Sequence, residues 1–135
     1  MLQEPSAGIV CRGDFVLKSG TRTDIYINMR MMMGNPHLMA MCAEMLAAEC
    51  REMEALDDVA VVGVPTGAIA IATLVAERLG LPSCLVYKER KEHGRGSQIE
   101  GVLPRRAIII EDVYTTGGSI RECAAMLMAA GVEII

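Results

Sequence analysis

The stretch Ala107-Ile-Ile-Ile-Glu-Asp-Val-Tyr-Thr-Thr-Gly-Gly-Ser119 constrains the fold more than any other part of the chain. Ala107 to Ile110 is a short apolar run of β-branched character, the pattern of a strand buried on both faces in a parallel sheet. Two adjacent carboxylates, Glu111 and Asp112, end it. A small-residue loop, Thr115 to Ser119, then opens a helical pattern from Ile120 to Ala130 with Gly131 as its expected C-cap. The bare N–H groups of such a helix N-terminus, together with its dipole, hold a phosphate, and the glycines let the backbone close around it. Vicinal ribose hydroxyls can donate to the carboxylates, as they do to one acidic residue in dinucleotide-binding folds. A plain glycine-rich turn is the simpler alternative, but two acids at a buried strand end with no base nearby weigh against it. A phosphorylated sugar is the ligand class that suits this stretch.

The rest of the chain alternates strand and helix patterns. Gly13 to Gly20 and Thr21 to Arg30 read as two short strands around a polar turn, with Ile25-Tyr26-Ile27 as β-formers. Asn35 is a helix N-cap with Pro36 in the first turn. The helix is expected to run to about Leu56, with Leu38, Met41, Cys42, Met45 and Leu46 as its core face. His37 has no metal-ligand partner at useful spacing and is expected at the surface. Val59 to Val62 is the next buried strand, followed by the turn Gly63-Val-Pro-Thr-Gly67 and a helix over Ala68 to Leu79 stopped by Gly80 and Pro82. That turn can offer N–H groups to phosphate oxygens, although many strand–helix turns look alike. Ser83 to Tyr87 is a third strand, and the charged stretch Lys88 to Ser97 lacks apolar periodicity. Ile99 to Val102 leads back to the central strand, and Val132 to Ile135 starts another beside it. Such alternation implies a doubly wound, mostly parallel α/β sheet with ligands at the C-terminal strand ends.

Composition narrows the classes further. The 135 residues suit one domain, and 52% apolar content with only 3% aromatic leaves Met, Ala, Val, Ile and Leu to fill the core. The eleven methionines could equally coat an interface. A net charge of −4 argues against nucleic acid as main partner, so an anionic substrate needs a local cluster of cations. Five cysteines without C-x-x-C or zinc spacing read as reduced residues of a cytoplasmic protein. The first residues, Met1 to Pro5, show no signal-peptide pattern. Val59 to Ala76 is uncharged over 18 residues, but the turn at its centre argues for strand, loop and helix rather than a membrane span. Neither a G-x-x-x-x-G-K-[ST] nor a G-x-G-x-x-G motif occurs, which excludes a P-loop and leaves a Rossmann site without support.

The 107–119 run resembles the phosphoribosyl pyrophosphate (PRPP) signature of the type I phosphoribosyltransferases: four apolar residues, two acids, then a Thr/Gly/Ser loop. Phe15-Val-Leu-Lys-Ser-Gly20 with Tyr26-Ile-Asn-Met-Arg30 resembles the substrate-side hairpin of the orotate phosphoribosyltransferases. Lys88-Glu-Arg-Lys-Glu-His-Gly-Arg-Gly-Ser97 resembles their mobile catalytic loop. The resemblance spans 13–131. It implies the type I phosphoribosyltransferase fold, with an N-terminal β-hairpin substrate lobe, in a single domain over 1–135.

The resemblance also implies roles. Glu111 and Asp112 would hold the ribose hydroxyls. Val113 and Tyr114 would belong to the PRPP-binding site, and Thr115, Thr116, Gly117, Gly118 and Ser119 would hold the 5′-phosphate, with Thr115 also reaching the base. Lys88, Lys91 and His93 would stabilise pyrophosphate and, with Asp112, form the catalytic set. Lys18, Tyr26 and Ile27 would bind orotate. No side chain is expected to ligate a metal directly, since Mg²⁺ arrives on the pyrophosphate of PRPP. A homodimer with shared sites is implied, and no nucleic acid or membrane partner.

Three departures from the family pattern qualify this. Some bacterial members carry lysine at the place of Gly67, and arginine is common at the place of Tyr87. Related enzymes continue past the place of Ile135 with strands and an arginine for the orotate carboxylate, so orotate is expected to bind weakly. A phosphoribosyltransferase for another base, or a non-catalytic PRPP-binding relative, would share the same PRPP motifs. Base exchange separates the first of these and turnover the second.

Overall fold

The computed structural model describes residues 8–17, 20–53, 55–87 and 98–135. In chain order its elements are β1 (Val10–Val16), β2 (Arg22–Ile27), a 3-10 helix over Met29–Gly34, α1 (Pro36–Arg51), β3 (Val59–Gly63), α2 (Ile69–Leu79), β4 (Ser83–Val86), β5 (Ile99–Glu100), β6 (Arg106–Ile110), α3 (Gly118–Ala129) and β7 (Glu133–Ile134). β1 and β2 form an antiparallel hairpin of their own, and the other strands form one sheet in the order β5-β4-β3-β6-β7. β4, β3, β6 and β7 are parallel, and β5 returns antiparallel beside β4. The sheet is therefore mostly parallel and its order doubles back, as the alternating pattern predicts.

β3 sits at the centre and is buried along its whole length, which explains its uninterrupted Val-Ala-Val-Val-Gly sequence. From β3 the chain passes through α2 to β4 on one side, and from β6 through α3 to β7 on the other. Right-handed crossovers in opposite directions place α2 and α3 on opposite faces. The uncharged run 59–76 is divided into β3, a turn and the start of α2, and no helix among the described residues is long and apolar enough to cross a membrane.

α1 begins where expected: Asn35 Oδ1 accepts from the Leu38 N–H at 3.1 Å, and Pro36 follows the cap. Its core face agrees with expectation only in part, for Leu38, Cys42 and Leu46 pack against the core from partly buried positions. Met39, Ala43, Ala47 and Cys50 are buried, while Met41 and Met45 are 62% and 67% exposed. A helix apolar on nearly every side gives no sharp stripe, and the small alanines are the residues that let it pack close to α2. α1 also stops at Arg51 rather than near Leu56. Continuing would add Glu52 and further acids at the negative end of the dipole, while Arg51 sits favourably in the last turn. Gly80 closes α2 as expected, whereas Ala130 caps α3 with Gly131 one residue beyond. Among the described residues only Met32 and Met39 are buried methionines, so valine, isoleucine and alanine make most of the core.

Cys50, Cys84 and Cys123 are buried, and Cys11 and Cys42 are half-buried, all five as free thiols. Burial pushes the Cys50 and Cys84 thiols up from their ordinary range, which lowers their thiolate fraction. A thiol-specific reagent near neutral pH is expected to label Cys11 and Cys42 first in the folded chain and all five after unfolding. Equally fast labelling of Cys84 in the native chain would contradict this packing.

Candidate active site

Strand order reverses between β3 and β6, so the crevice outside their C-terminal ends is the switch point of the sheet, the usual ligand position in open α/β folds. Gly63 pairs with Ile110 in register, which brings the two strands to the same edge. Beyond them, the Val64 N–H donates to the Ile110 carbonyl at 2.9 Å and ties the β3–α2 turn to the end of β6. The Pro65–Thr66 peptide in that turn is cis.

Glu111 and Asp112 follow β6 directly, both half-buried. Asp112 reaches across to the other turn and lies against Gly67. A β-carbon built on Gly67 would stand 2.6 Å from Asp112 Cγ and 2.7 Å from Oδ1, with Oδ2 closer still. Residues 113–117 then wrap to the N-terminus of α3, where Gly117 is the N-cap at φ +71°, a conformation that favours glycine. Glycine has no side chain to cap the helix, so the first-turn N–H groups of α3 face the loop without that partner. Thr115 and Thr116 are exposed beside it, and Ser119 is in the first turn of the helix. Thus Glu111, Asp112 and residues 113–119 gather at one strand end, as the motif predicts.

The structure adds a cation that the sequence pattern did not single out. A β-carbon at Gly117 would lie 3.1 Å from Arg121 Nη1 and 3.0 Å from the Tyr114 hydroxyl, so both side chains bracket the loop before α3. Arg121 is held there by its place one turn into α3, its N–H donating to the Gly117 carbonyl at 3.0 Å. Helical spacing from the loop was the available signal, masked by its place in the ordinary polar face of α3. The Asp112–Gly67 contact joins residues 45 positions apart and had no sequence signal.

Tyr26 and Ile27 stand exposed on the separate hairpin, with the Tyr26 ring 5.4 Å from the Phe15 ring. Lys18, Lys88, Lys91 and His93 lie outside the described residues. The flanks of 88–97 are defined: the Tyr87 N–H donates to the Gln98 carbonyl at 2.8 Å where β4 meets β5. Because β4 runs parallel to β3, this point is at the same edge as the acid pair. The Tyr87 hydroxyl donates to Glu100 at 3.1 Å, so here the position joins the two strands. A cavity of about 450 Å³ lies at the opposite edge, lined by Asp57, Asp58, Arg105, Arg106, Gly131 and Glu133. Its Arg106 guanidinium already serves the Ala55 and Asp57 carbonyls, so that cavity is a structural joint rather than the site.

An acid pair beside a helix N-terminus without a side-chain cap, at the switch point of the sheet, is the arrangement expected of a phosphoribosyltransferase. The family model for the phosphoribosyl transferase domain matches residues 32–135. Orotate phosphoribosyltransferase of Aeropyrum pernix is 39% identical over 94% of this chain and 68% of its own, and that of Pyrococcus furiosus is 38% identical over 90% and 68%. The crystal structure of the Aeropyrum enzyme superposes with a TM-score of 0.79 across 94% of this chain and 72% of that one. Leishmania donovani UMP synthase superposes at 0.84, with 28% identity, over 97% of this chain and 28% of that one. The chain belongs to the orotate phosphoribosyltransferase family.

Proposed function

We propose that the chain transfers the phosphoribosyl group of PRPP to orotate, giving orotidine 5′-monophosphate and pyrophosphate in UMP biosynthesis. The observation that carries this is the convergence of Glu111, Asp112 and the uncapped N-terminus of α3 at the switch point, in a chain 39% identical to an orotate phosphoribosyltransferase. The bond from the anomeric carbon to the pyrophosphate oxygen breaks, and its electron pair leaves with pyrophosphate. The orotate ring nitrogen gives its proton to water or to the departing pyrophosphate and forms the new bond to that carbon. Positive charge builds on the ribose ring meanwhile. Two carboxylates at the ribose hydroxyls fix the ring and favour that charge, so catalysis is mainly positioning and electrostatics.

The 5′-phosphate takes the first-turn N–H groups of α3 and the hydroxyls of Thr115, Thr116 and Ser119. Arg121 supplies a guanidinium on the same loop, a fork that suits a carboxylate or phosphate. Lys88, Lys91 and His93 act on pyrophosphate, and Lys18, Tyr26 and Ile27 on orotate, in this reading. Mg²⁺ enters as part of the substrate in this reading, held by the pyrophosphate oxygens of PRPP. The proposal includes a homodimer, for which exposed Met31, Met33, Met41 and Met45 offer apolar surface, and a cytoplasmic place, which suits free thiols.

The test is pyrophosphate release from PRPP. Release is expected only with orotate and Mg²⁺ both present. Equal release with adenine or uracil in place of orotate would overturn the base assignment, and no release with any base would overturn the activity.

A further inference from the structure

We propose that Arg121 is a binding residue for the 5′-phosphate of PRPP, and so makes this chain choose a phosphorylated ribose. This deepens the functional reading above and rests on it. Arg121 stands near the start of α3, whose first turn holds no acidic residue and whose N-cap offers no side chain. A cation is unfavourable beside the positive end of a helix dipole, where an anion is favoured. Nothing in the fold offsets that cost, for the Arg121 guanidinium has no hydrogen-bond or ion-pair partner among the described residues. Other arginines do have structural work: Arg51 and Arg78 share Glu44, and Arg106 holds two carbonyls.

The unpartnered guanidinium lies on the loop rather than away from it. Arg121 Nη1 is 3.1 Å from the place of a Gly117 β-carbon, beside Tyr114 Cε2 at 2.9 Å and the Tyr114 hydroxyl at 3.0 Å. Gly117 is buried while Tyr114 and Arg121 are exposed, so the two side chains cover the loop backbone and stay open to solvent themselves. An anion on the first-turn N–H groups of α3 would sit next to Gly117, within reach of the guanidinium fork after a change of rotamer. Orotate and pyrophosphate are the other anions of the reaction. Both join the anomeric carbon, which the ribose ring separates from the 5′-phosphate.

The experiment compares the parent, Arg121→Ala and Arg121→Lys by calorimetry with PRPP–Mg²⁺ and with pyrophosphate–Mg²⁺, and by Tm without ligand. Arg121→Ala is expected to bind PRPP about 10- to 100-fold more weakly, as the loss of charge-assisted hydrogen bonds requires. Its pyrophosphate affinity should stay with the parent's. Arg121→Lys keeps the charge without the fork, so its PRPP affinity should fall between the two. The ligand-free Tm of Arg121→Ala should not drop, because a cation has left the positive end of the helix. Parent-like PRPP affinity in Arg121→Ala overturns the inference. So does an equal loss for pyrophosphate, since the guanidinium would then act on that group or on anions at large. A clear drop in ligand-free Tm would mark a structural arginine and also count against it. Failure of the parent chain itself to bind PRPP would instead overturn the functional reading.

Discussion

Replacing Asp112 with asparagine is expected to weaken PRPP binding by about 1.5–3 kcal/mol, the range for hydrogen bonds to a charged group. That corresponds to roughly a 10- to 150-fold rise in Kd. Asparagine keeps the outline of the side chain, so it still fits over Gly67, where the aspartate now lies. What changes is one oxygen into an NH₂ group, which cannot accept from a ribose hydroxyl, and the loss of the negative charge opposite the developing ribose cation. Ligand-free Tm should therefore barely move, while the rise in Tm produced by saturating PRPP should shrink, because that rise follows the ratio of ligand concentration to Kd. An unchanged calorimetric Kd for the PRPP–Mg²⁺ complex would remove the acid pair from the binding site.

The central strand and its loop were legible because local chemistry leaves them few alternatives. A β-branched run ending in two acids and then glycines makes a strand, a polar end and a bare helix N-terminus. β6 and α3 follow within one or two residues of that expectation, α3 opening at Gly118 rather than Ile120. The same holds for Asn35-Pro36, where cap and helix start agree. α1 shows where such reasoning stops. Its Met and Ala positions are apolar on several sides, and the choice of Met39 over Met41 for the interior depends on how close α2 can come. Nothing along the helix encodes that distance.

The site divides in the same way. Residues 111–119 are contiguous, so their gathering follows from one local structure. Arg121 needed only the geometry of one helical turn, and its neighbourhood with Tyr114 became visible once Gly117 was placed between them. The contact of Asp112 with Gly67 is different in kind, because it depends on two parallel strands meeting in register, Gly63 beside Ile110. Tyr87 illustrates the converse. Considered as the place of a catalytic cation it reads as a loss, yet its hydroxyl joins β4 to β5 through Glu100.

Leu127→Ala is expected to destabilise the chain by about 2.7–5 kcal/mol, the range for a buried leucine whose removal leaves a cavity. Leu127 is wholly buried, in the same core cluster as Cys123 and Val132. Its carbonyl also accepts from the Ala130 and Val132 N–H groups, both at 3.0 Å, where α3 turns into β7. It therefore anchors the helix whose other end forms the phosphate loop. For a domain of this size the loss corresponds to a fall in Tm on the order of 10–20 °C. Met128→Ala, one residue along at a position 57% exposed, should change stability by no more than about 0.5 kcal/mol. A ligand that binds only the folded chain adds stability wherever it sits, so PRPP should offset much of the defect: at a hundred times Kd, binding restores about 2.7 kcal/mol. A parent-like rise of Tm with PRPP in Leu127→Ala, with a smaller rise at the same concentration in Asp112→Asn, would show a weakened scaffold and a weakened site as separate defects. A Leu127→Ala chain that melts with its parent would mean that α3 is not held through this side chain, and the anchoring of the phosphate loop would have to lie elsewhere.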